Sequence, residues 1–395
     1  MRAFADDFWE IRRTGRDPIA AGLTAERVAA YLEESWGAAY PPVPARELVA
    51  ALPREWWMPM LDAALAVALT PEARGARELV KAVAVREPAL FASDPLALLA
   101  RQAVPPGFLR TQARTVVPAL REALAGAHPQ AIAAAVALLR LGVEHEGEVQ
   151  RALDAGVLEA NGFAWAARGV GYELEGSRLR RLFAPGAYEL AFAPGALDGL
   201  ASRPQPAPAW REGERSRAMG GSVEAVDASG AHVVLQHVLT LDPVPEDLGV
   251  SLARLVLAVD LGALTDEGTP HSLRHEEDGS VRALGRPGAP HPALVQMRVQ
   301  LSRIEGQALD RRWGEGPGAR CDRVGGLPFF VQGPMYPECP GCGRTMVHLM
   351  SIDSGLPLAA PGRFESLELE WGSGGVANAF WCDGCRTSTW TWTCS

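Results

Sequence analysis

The stretch WGSGGVANAFWCDGCRTSTWTWTC, residues 371–394, decides the reading of this chain. VANAFW (376–381) is a short apolar run of the kind that forms a buried strand. Cys382-Asp383-Gly384-Cys385 follows as a C-x2-C pair. STWTWTC (388–394) then alternates, with Trp390, Trp392 and Cys394 on one face and Thr389, Thr391 and Thr393 on the other. That period of two is the signature of a pleated strand. The stretch therefore predicts a β-rich end of the chain with metal chemistry built into a turn.

A second pair, Cys339-Pro340-Gly341-Cys342, lies upstream. Zinc takes four soft or borderline donors in a tetrahedron, with Zn–S near about 2.3 Å. A C-x2-C turn holds two thiolates near the required separation and aims backbone N–H groups at the sulfurs. Glycine in such a turn admits the positive φ it needs. Two pairs make a closed four-thiolate site with no open coordination position, the pattern of structural rather than catalytic zinc. The predicted ligands are Cys339, Cys342, Cys382 and Cys385. The 39 residues between Cys342 and Cys382 exceed the usual ribbon spacing. MVHLMSI (346–352), SLELEW (366–371) and VANAFW must then pair as strands to bring the knuckles together. Of the two remaining cysteines, Cys394 is expected in the core and Cys321 as a free thiol in a loop.

All six cysteines fall within the last 75 residues, and a disulfide framework would be spread more widely. The chain has 395 residues, two to three domain lengths, with 48% hydrophobic and 22% charged residues, which is globular composition. No apolar run is long enough for a membrane-spanning helix. The opening MRAFADDFWE lacks the apolar core of a secretory signal, so the cytoplasm is the expected location. Net charge is −9, and the acidity is concentrated after Trp210, where 16 Arg face 23 Asp and Glu. No cluster of Lys and Arg is present to displace counterions from a phosphate backbone, which disfavours nucleic acid as a partner.

Toward the N-terminus the period changes to that of helices. ELVAAL, MLDAALAVAL, ELVKAVAV, DPLALLARQAV and TVVPALREALAG carry apolar residues at helical spacing from about Thr24 to Gly156. Thr70-Pro71, Asp94-Pro95 and His128-Pro129 read as helix starts, and Gly142 as the stop of QAIAAAVALLRL. Residues 1–203 are thus expected to form an irregular helical bundle or repeat. The alternating prolines of 204–209 read as an extended linker, and 210–395 as the β-rich zinc domain. The fold class is α+β: an all-helical domain followed by a β-rich domain with a zinc-clamped C-terminal sheet. HVVLQHVLTL (232–241), LARLVLAVDL (252–261) and LVQMRVQL (294–301) are its further expected strands.

Two segments of this half echo each other. Gly220-Gly221 precedes HVLTLD at 237–242, and Gly325-Gly326 precedes HLMSID at 348–353. The second gap carries Cys339 and Cys342, and the first carries none. A duplicated β unit is the reading, with its first copy lacking the knuckle.

The run VGGLPFFVQ (324–332), YPECPGCGRTM (336–346), HLMSIDS and the 371–394 ending resemble the YwqG-like family of bacterial proteins. The resemblance covers about residues 208–395 and includes the less specific PAWREGERSRAMGG (208–221). It implies the four cysteines as zinc ligands and no established catalytic residue. Related proteins can carry a further C-x-x-C in the first copy, whereas 223–236 here holds no cysteine. Some members sit in toxin–immunity settings, which implies binding rather than catalysis.

For an enzyme the sequence offers little. No nucleophile elbow, phosphate loop, dinucleotide fingerprint or zinc-protease helix is present. His237 and His348 occupy matching places, each five residues before an acid, Asp242 and Asp353. Residues five apart on a strand face opposite ways, so the histidines read as packed and the acids as turn caps, and a functional role stays open. His271 and His275 read as part of a solvated charged loop. The expectation is a non-enzymatic cytoplasmic protein-binding module, with a toxin as one candidate partner. The alternatives are an enzyme with an unrecognised site in the β-rich half and a zinc-ribbon nucleic-acid binder.

Overall fold

The computed structural model describes the chain except residues 39–40, 69–72, 92–97, 99–105, 126–129, 198–209, 267–269, 305–321, 331–332, 360–366, 373 and 395. The helix starts at Thr70, Asp94 and His128, the proline-rich linker and Cys321 therefore lie outside the described residues. The chain divides into two compact units, Met1–Gly162 and Phe163–Ser395.

The first unit is helical. It holds α1 (Arg2–Thr14), α2 (Ala25–Ser35), α3 (Ala45–Ala51), α4 (Arg54–Trp57), α5 (Pro59–Val67), α6 (Arg74–Arg86), α7 (Pro106–Ala125), α8 (Ala131–Leu141) and α9 (Glu146–Asp154). Each forms for a local reason. The Thr24 hydroxyl accepts the Arg27 N–H and caps α2. Gly15, at φ 65°, ends α1. Phe4, Phe8 and Ile11 bury one stripe of α1, with Phe4 stacked on Tyr31 of α2 at 4.3 Å between centroids. Tyr31 in turn donates its hydroxyl to Val43 O and accepts Val43 N–H, tying the α2–α3 connection down. A Cβ on Gly75 would lie 2.2 Å from Ser35 O, so only glycine lets α6 start against the end of α2. The backbone of α7 bends at Gln112, where φ is −111°.

The boundary falls within α10 (Ala160–Arg168), and the second unit holds fifteen strands and α11 (Leu261–Asp266). The strands are β1 (Tyr172–Glu175), β2 (Arg178–Arg181), β3 (Ala187–Phe192), β4 (Arg217–Val226), β5 (His232–Leu241), β6 (Leu255–Val259), β7 (His271–His275) and β8 (Val281–Ala283), followed by β9 (Leu294–Arg303), β10 (Arg323–Gly325), β11 (Val347–Asp353), β12 (Leu356–Leu358), β13 (Leu367–Leu369), β14 (Val376–Cys382) and β15 (Thr387–Thr393). β1 and β2 pair as a separate hairpin; the others run β13-β12-β9-β3-β10-β11-β14-β15-β7-β8-β4-β5-β6, and a β9–β4 pairing closes the sheet into a barrel. The fold is therefore α+β as the pattern demands. The boundary differs from the one expected at residue 203. β3 is hydrogen-bonded between β9 and β10, so the segment after Phe163 belongs with the sheet. Its strands YELE, RLRR and AYELAF are short and charged, which hid them from a hydrophobic-period reading.

β6 is buried on both faces, and its sequence LVLAV is accordingly apolar without alternation. Leu255, Leu257 and Val259 enter the main core, while Val256 and Ala258 enter a smaller core with Leu235, Leu273 and Val281. Trp371, Trp381 and Trp390 lie in the main core. β15 departs from the half-solvated strand its alternation suggests. Thr387, Thr389, Thr391 and Thr393 are buried as well, and Cys394 is half-buried.

The echoing segments adopt matching geometry. Gly220, Gly221, Gly325 and Gly326 have φ of 81°, 88°, 71° and 68°. A Cβ on Gly220 would lie 2.0 Å from Val295 O, and one on Gly325 2.0 Å from Gly186 O. Both strands bulge just past their histidine, β5 between His237 and Leu239, β11 between His348 and Met350.

Candidate metal centre

The first knuckle is a tight reversal. Glu338 bridges antiparallel to Thr345, Cys339 N–H donates to Arg344 O at 2.8 Å, and Gly343 N–H donates to Cys339 O at 2.8 Å. Gly343 sits at φ 71°. The Gly341 N–H points at Cys339 Sγ, 3.4 Å away. The second knuckle is a single 3-10 turn, Asp383–Cys385, between β14 and β15. It ends at Arg386, whose φ of 50° is the one left-handed non-glycine conformation among the described residues. Asp383 Oδ1 accepts Ser251 N–H at 2.8 Å and Trp381 Nε1–H at 3.0 Å, which fixes the turn to the rest of the sheet.

Pairing of β11 with β14 brings the two turns together. The four sulfurs of Cys339, Cys342, Cys382 and Cys385 lie within 4.8 Å of one another, the only such cluster among the described residues. Cys342 and Cys382 are 3.7 Å apart, close to the edge of roughly 3.8 Å that a tetrahedron with the Zn–S length implies. Gly341 is closely approached: a Cβ there would be 3.1 Å from Cys385 Sγ. The donor set can hold a metal ion. The N–H of Arg344 helps bring the Cys342 thiol down to about 7, whereas burial pushes Cys382 up to about 12. Neighbouring thiols push Cys385 up as well. Four adjacent thiolates repel one another, and a divalent cation is the partner that lets all four ionise. Cys339 is buried against Met346 and Phe380, with Phe330 and Tyr336 completing an apolar wall. Cys342 is exposed.

His237 lies on β5 and His348 on β11. Each ring has both nitrogens partnered. His237 Nδ1–H donates to Gly220 O and Nε2 meets Thr240 Oγ1, both at 2.8 Å. His348 Nδ1–H donates to Gly326 O at 2.8 Å and Nε2 meets Ser351 Oγ at 3.0 Å. The rings are thus held one residue apart relative to the glycine pair. Burial lowers both, His348 to about 3. Asp242 stands apart, exposed between Arg215 and Arg254, and Asp353 accepts Ser354 N–H. No acid–base pair forms from these four residues.

His271 and His275 contradict the solvated-loop reading. They face inward from β7, 3% and 2% exposed, and burial lowers each to about 4. The charged tail EEDG follows the strand rather than containing the histidines.

The pairing register exposes a residue the sequence did not single out. His348 pairs with Phe380, and Cys382 follows two residues later. His237 pairs with Ala258, and two residues later stands Asp260. Asp260 Oδ1 accepts Ala263 N–H at 2.9 Å, and Oδ2 accepts Gly288 N–H at 2.8 Å. A carboxylate ties a loop to the start of α11 here, where sulfur stands in the other half. Its only sequence signal was its place at the end of an apolar strand.

The helical unit has an open cleft lined by Arg121, Glu148 and Arg151. Arg121 forks onto Glu148 at 2.8 and 2.6 Å and holds that carboxyl down to about 2. No helix among the described residues is long and apolar enough to cross a membrane. No protein-family model, curated protein or solved structure matches the chain.

Proposed function

We propose that the β unit is a non-enzymatic protein-binding module whose last strands are held by a structural zinc ion on Cys339, Cys342, Cys382 and Cys385. One observation carries the reading: four converging sulfurs fill a tetrahedral metal's coordination, leaving no position for substrate or water. The zinc would neutralise the thiolates and fix the β14–β15 connection. The enzyme alternative loses support because His237 and His348 are buried and hydrogen-bonded at both nitrogens. The nucleic-acid alternative loses support because, of the two arginines beside the knuckles, Arg386 is engaged by Glu277 at 2.8 Å.

The acidic half after Trp210 suits a basic partner through electrostatic steering. With the YwqG-like resemblance, this favours a cytoplasmic role that includes neutralising a basic toxin. The test is affinity purification of the tagged full chain from its host at low and high salt, with mass spectrometry of the eluate. A stoichiometric basic partner lost at high salt is the expected result. Absence of any stoichiometric partner at both salts contradicts the binding role.

A further inference from the structure

The Arg217 side chain makes no hydrogen bond and no ion pair within 4 Å among the described residues, although the residue is half-buried and its Nε is fully shielded from solvent. A guanidinium stays charged at every physiological pH, so desolvating it without a counter-charge costs stability. Burial, followed by the charge of Arg215, lowers its pKa, and the more distant Tyr188 and Asp242 offset only part of that.

Register places this residue on a defined surface. Arg217 pairs with Val299 across β4–β9, and Tyr188 pairs with Arg303 across β3–β9. Residues 299, 301 and 303 alternate onto one face of β9. Arg217, Tyr188 and Arg303 therefore share the face that carries Leu190, Leu301 and Val299 into the core. The nearby acids are committed elsewhere. Tyr188 donates its hydroxyl to Asp247 Oδ1 at 2.7 Å, and Arg303 lies 3.0 Å from Asp247 Oδ2. Asp242 is shared by Arg215 at 3.9 Å and Arg254 at 4.0 Å. Among these described residues, four arginines face two aspartates, within an acidic half of the chain.

We propose that this face, centred on Arg217, is a binding site for a small oxyanion, a carboxylate or phosphate group whose paired oxygens meet the two terminal nitrogens of the guanidinium. The forked donor geometry of arginine suits such groups, and the adjacent apolar side chains keep the contact partly dry. The site is independent of the protein-binding reading and of the metal.

The experiment is thermal melting of the full chain with inorganic phosphate and with succinate, each against chloride at equal ionic strength, for the native protein and Arg217→Met. The native protein gains melting temperature saturably with at least one of the two, by roughly 5 °C at a hundredfold excess over Kd. Which anion acts distinguishes a phosphate ligand from a carboxylate one. Arg217→Met loses that gain, and without anion it melts at or above the native temperature because an unpaired charge is gone. No gain over chloride with either anion, or an equal gain in the variant, overturns the proposal. Should the variant fail to fold, the Arg217 Nε–H resonance of the native protein decides: a saturable shift with either anion supports the site, and none overturns it.

Discussion

The half of the sheet around His237 and the half around His348 reach the same backbone arrangement with different clamps. Each has a left-handed glycine pair pressed against a neighbouring carbonyl, a histidine tied to that pair, and a bulge one step later. Two residues past the histidine's partner, one half has Cys382 and the other Asp260. In the first, four sulfurs from two separate turns converge. In the second, one carboxylate gathers two backbone N–H groups, one from the first turn of α11 and one from a loop. The loop at Gly288 packs so tightly that a Cβ there would lie 2.0 Å from Ala263 N, much as Gly341 packs under Cys385. The comparison teaches that two related turns can be joined either by a cluster of sulfurs that can hold a metal ion or by one hydrogen-bonded carboxylate.

The largest effect should come from breaking the sulfur clamp. Cys339→Ser, or removal of the metal by a chelator, should destabilise the β unit by roughly 4 kcal/mol or more, since metal binding of this type is largely folding energy. Melting temperature and metal content measured together check it. Unchanged values in the variant would remove Cys339 from the ligand set.

The next effect tests the shared backbone. Gly220→Ala and Gly325→Ala each force a side chain onto a left-handed residue beside a carbonyl 2.0 Å from the new Cβ. Each should cost roughly 3 kcal/mol in denaturant melts, and by similar amounts if the halves are equivalent. A large cost in one and none in the other would break the equivalence. Asp260→Ala should cost roughly 2 kcal/mol by stranding the Ala263 and Gly288 N–H groups, with metal content unchanged.

The smallest effect is in pH. Buried His348, His271 and His275 have folded pKa values near 3, 4 and 4, below the unfolded value near 6.5. The unfolded chain therefore binds their protons first. The stability they contribute is complete above about pH 6.5 and is lost as pH falls toward the folded values. Each contributes a slope of at most about 1.4 kcal/mol per pH unit within that window. His348→Gln should flatten the fall between pH 6.5 and 5 by about one histidine's share, measured by denaturant melts across pH. A profile identical to that of the native protein would mean that folding does not lower the pKa of His348.

Much of this was legible in the residues. The paired C-x2-C turns named the four cysteines whose sulfurs converge, because few other roles require that spacing. HVVLQHVLTL coincides with β5, and the apolar runs at 294–301 and 376–381 became β9 and β14. What escaped did so for physical reasons. α1 lies ahead of the helical region read from Thr24, since its stripe of Phe4, Phe8 and Ile11 is set among charged residues. β1–β3 carry Glu and Arg on their half-exposed faces and show no hydrophobic period. His271 and His275 sit beside EEDG, and only the tertiary pairing of β7 with β15 buries them. Asp260 and Arg217 owe their significance to what lies across the sheet, which no local pattern carries.

The claim on which the rest depends is that Cys339, Cys342, Cys382 and Cys385 hold one zinc ion. The most direct measurement is metal analysis of the purified full chain, with cobalt substitution read by absorption spectroscopy. One zinc per chain, and a cobalt form with strong thiolate charge-transfer and tetrahedral d–d bands that both vanish in Cys382→Ser, is the predicted result. A metal-free folded chain, or a cobalt spectrum unchanged by loss of Cys382, would contradict the account.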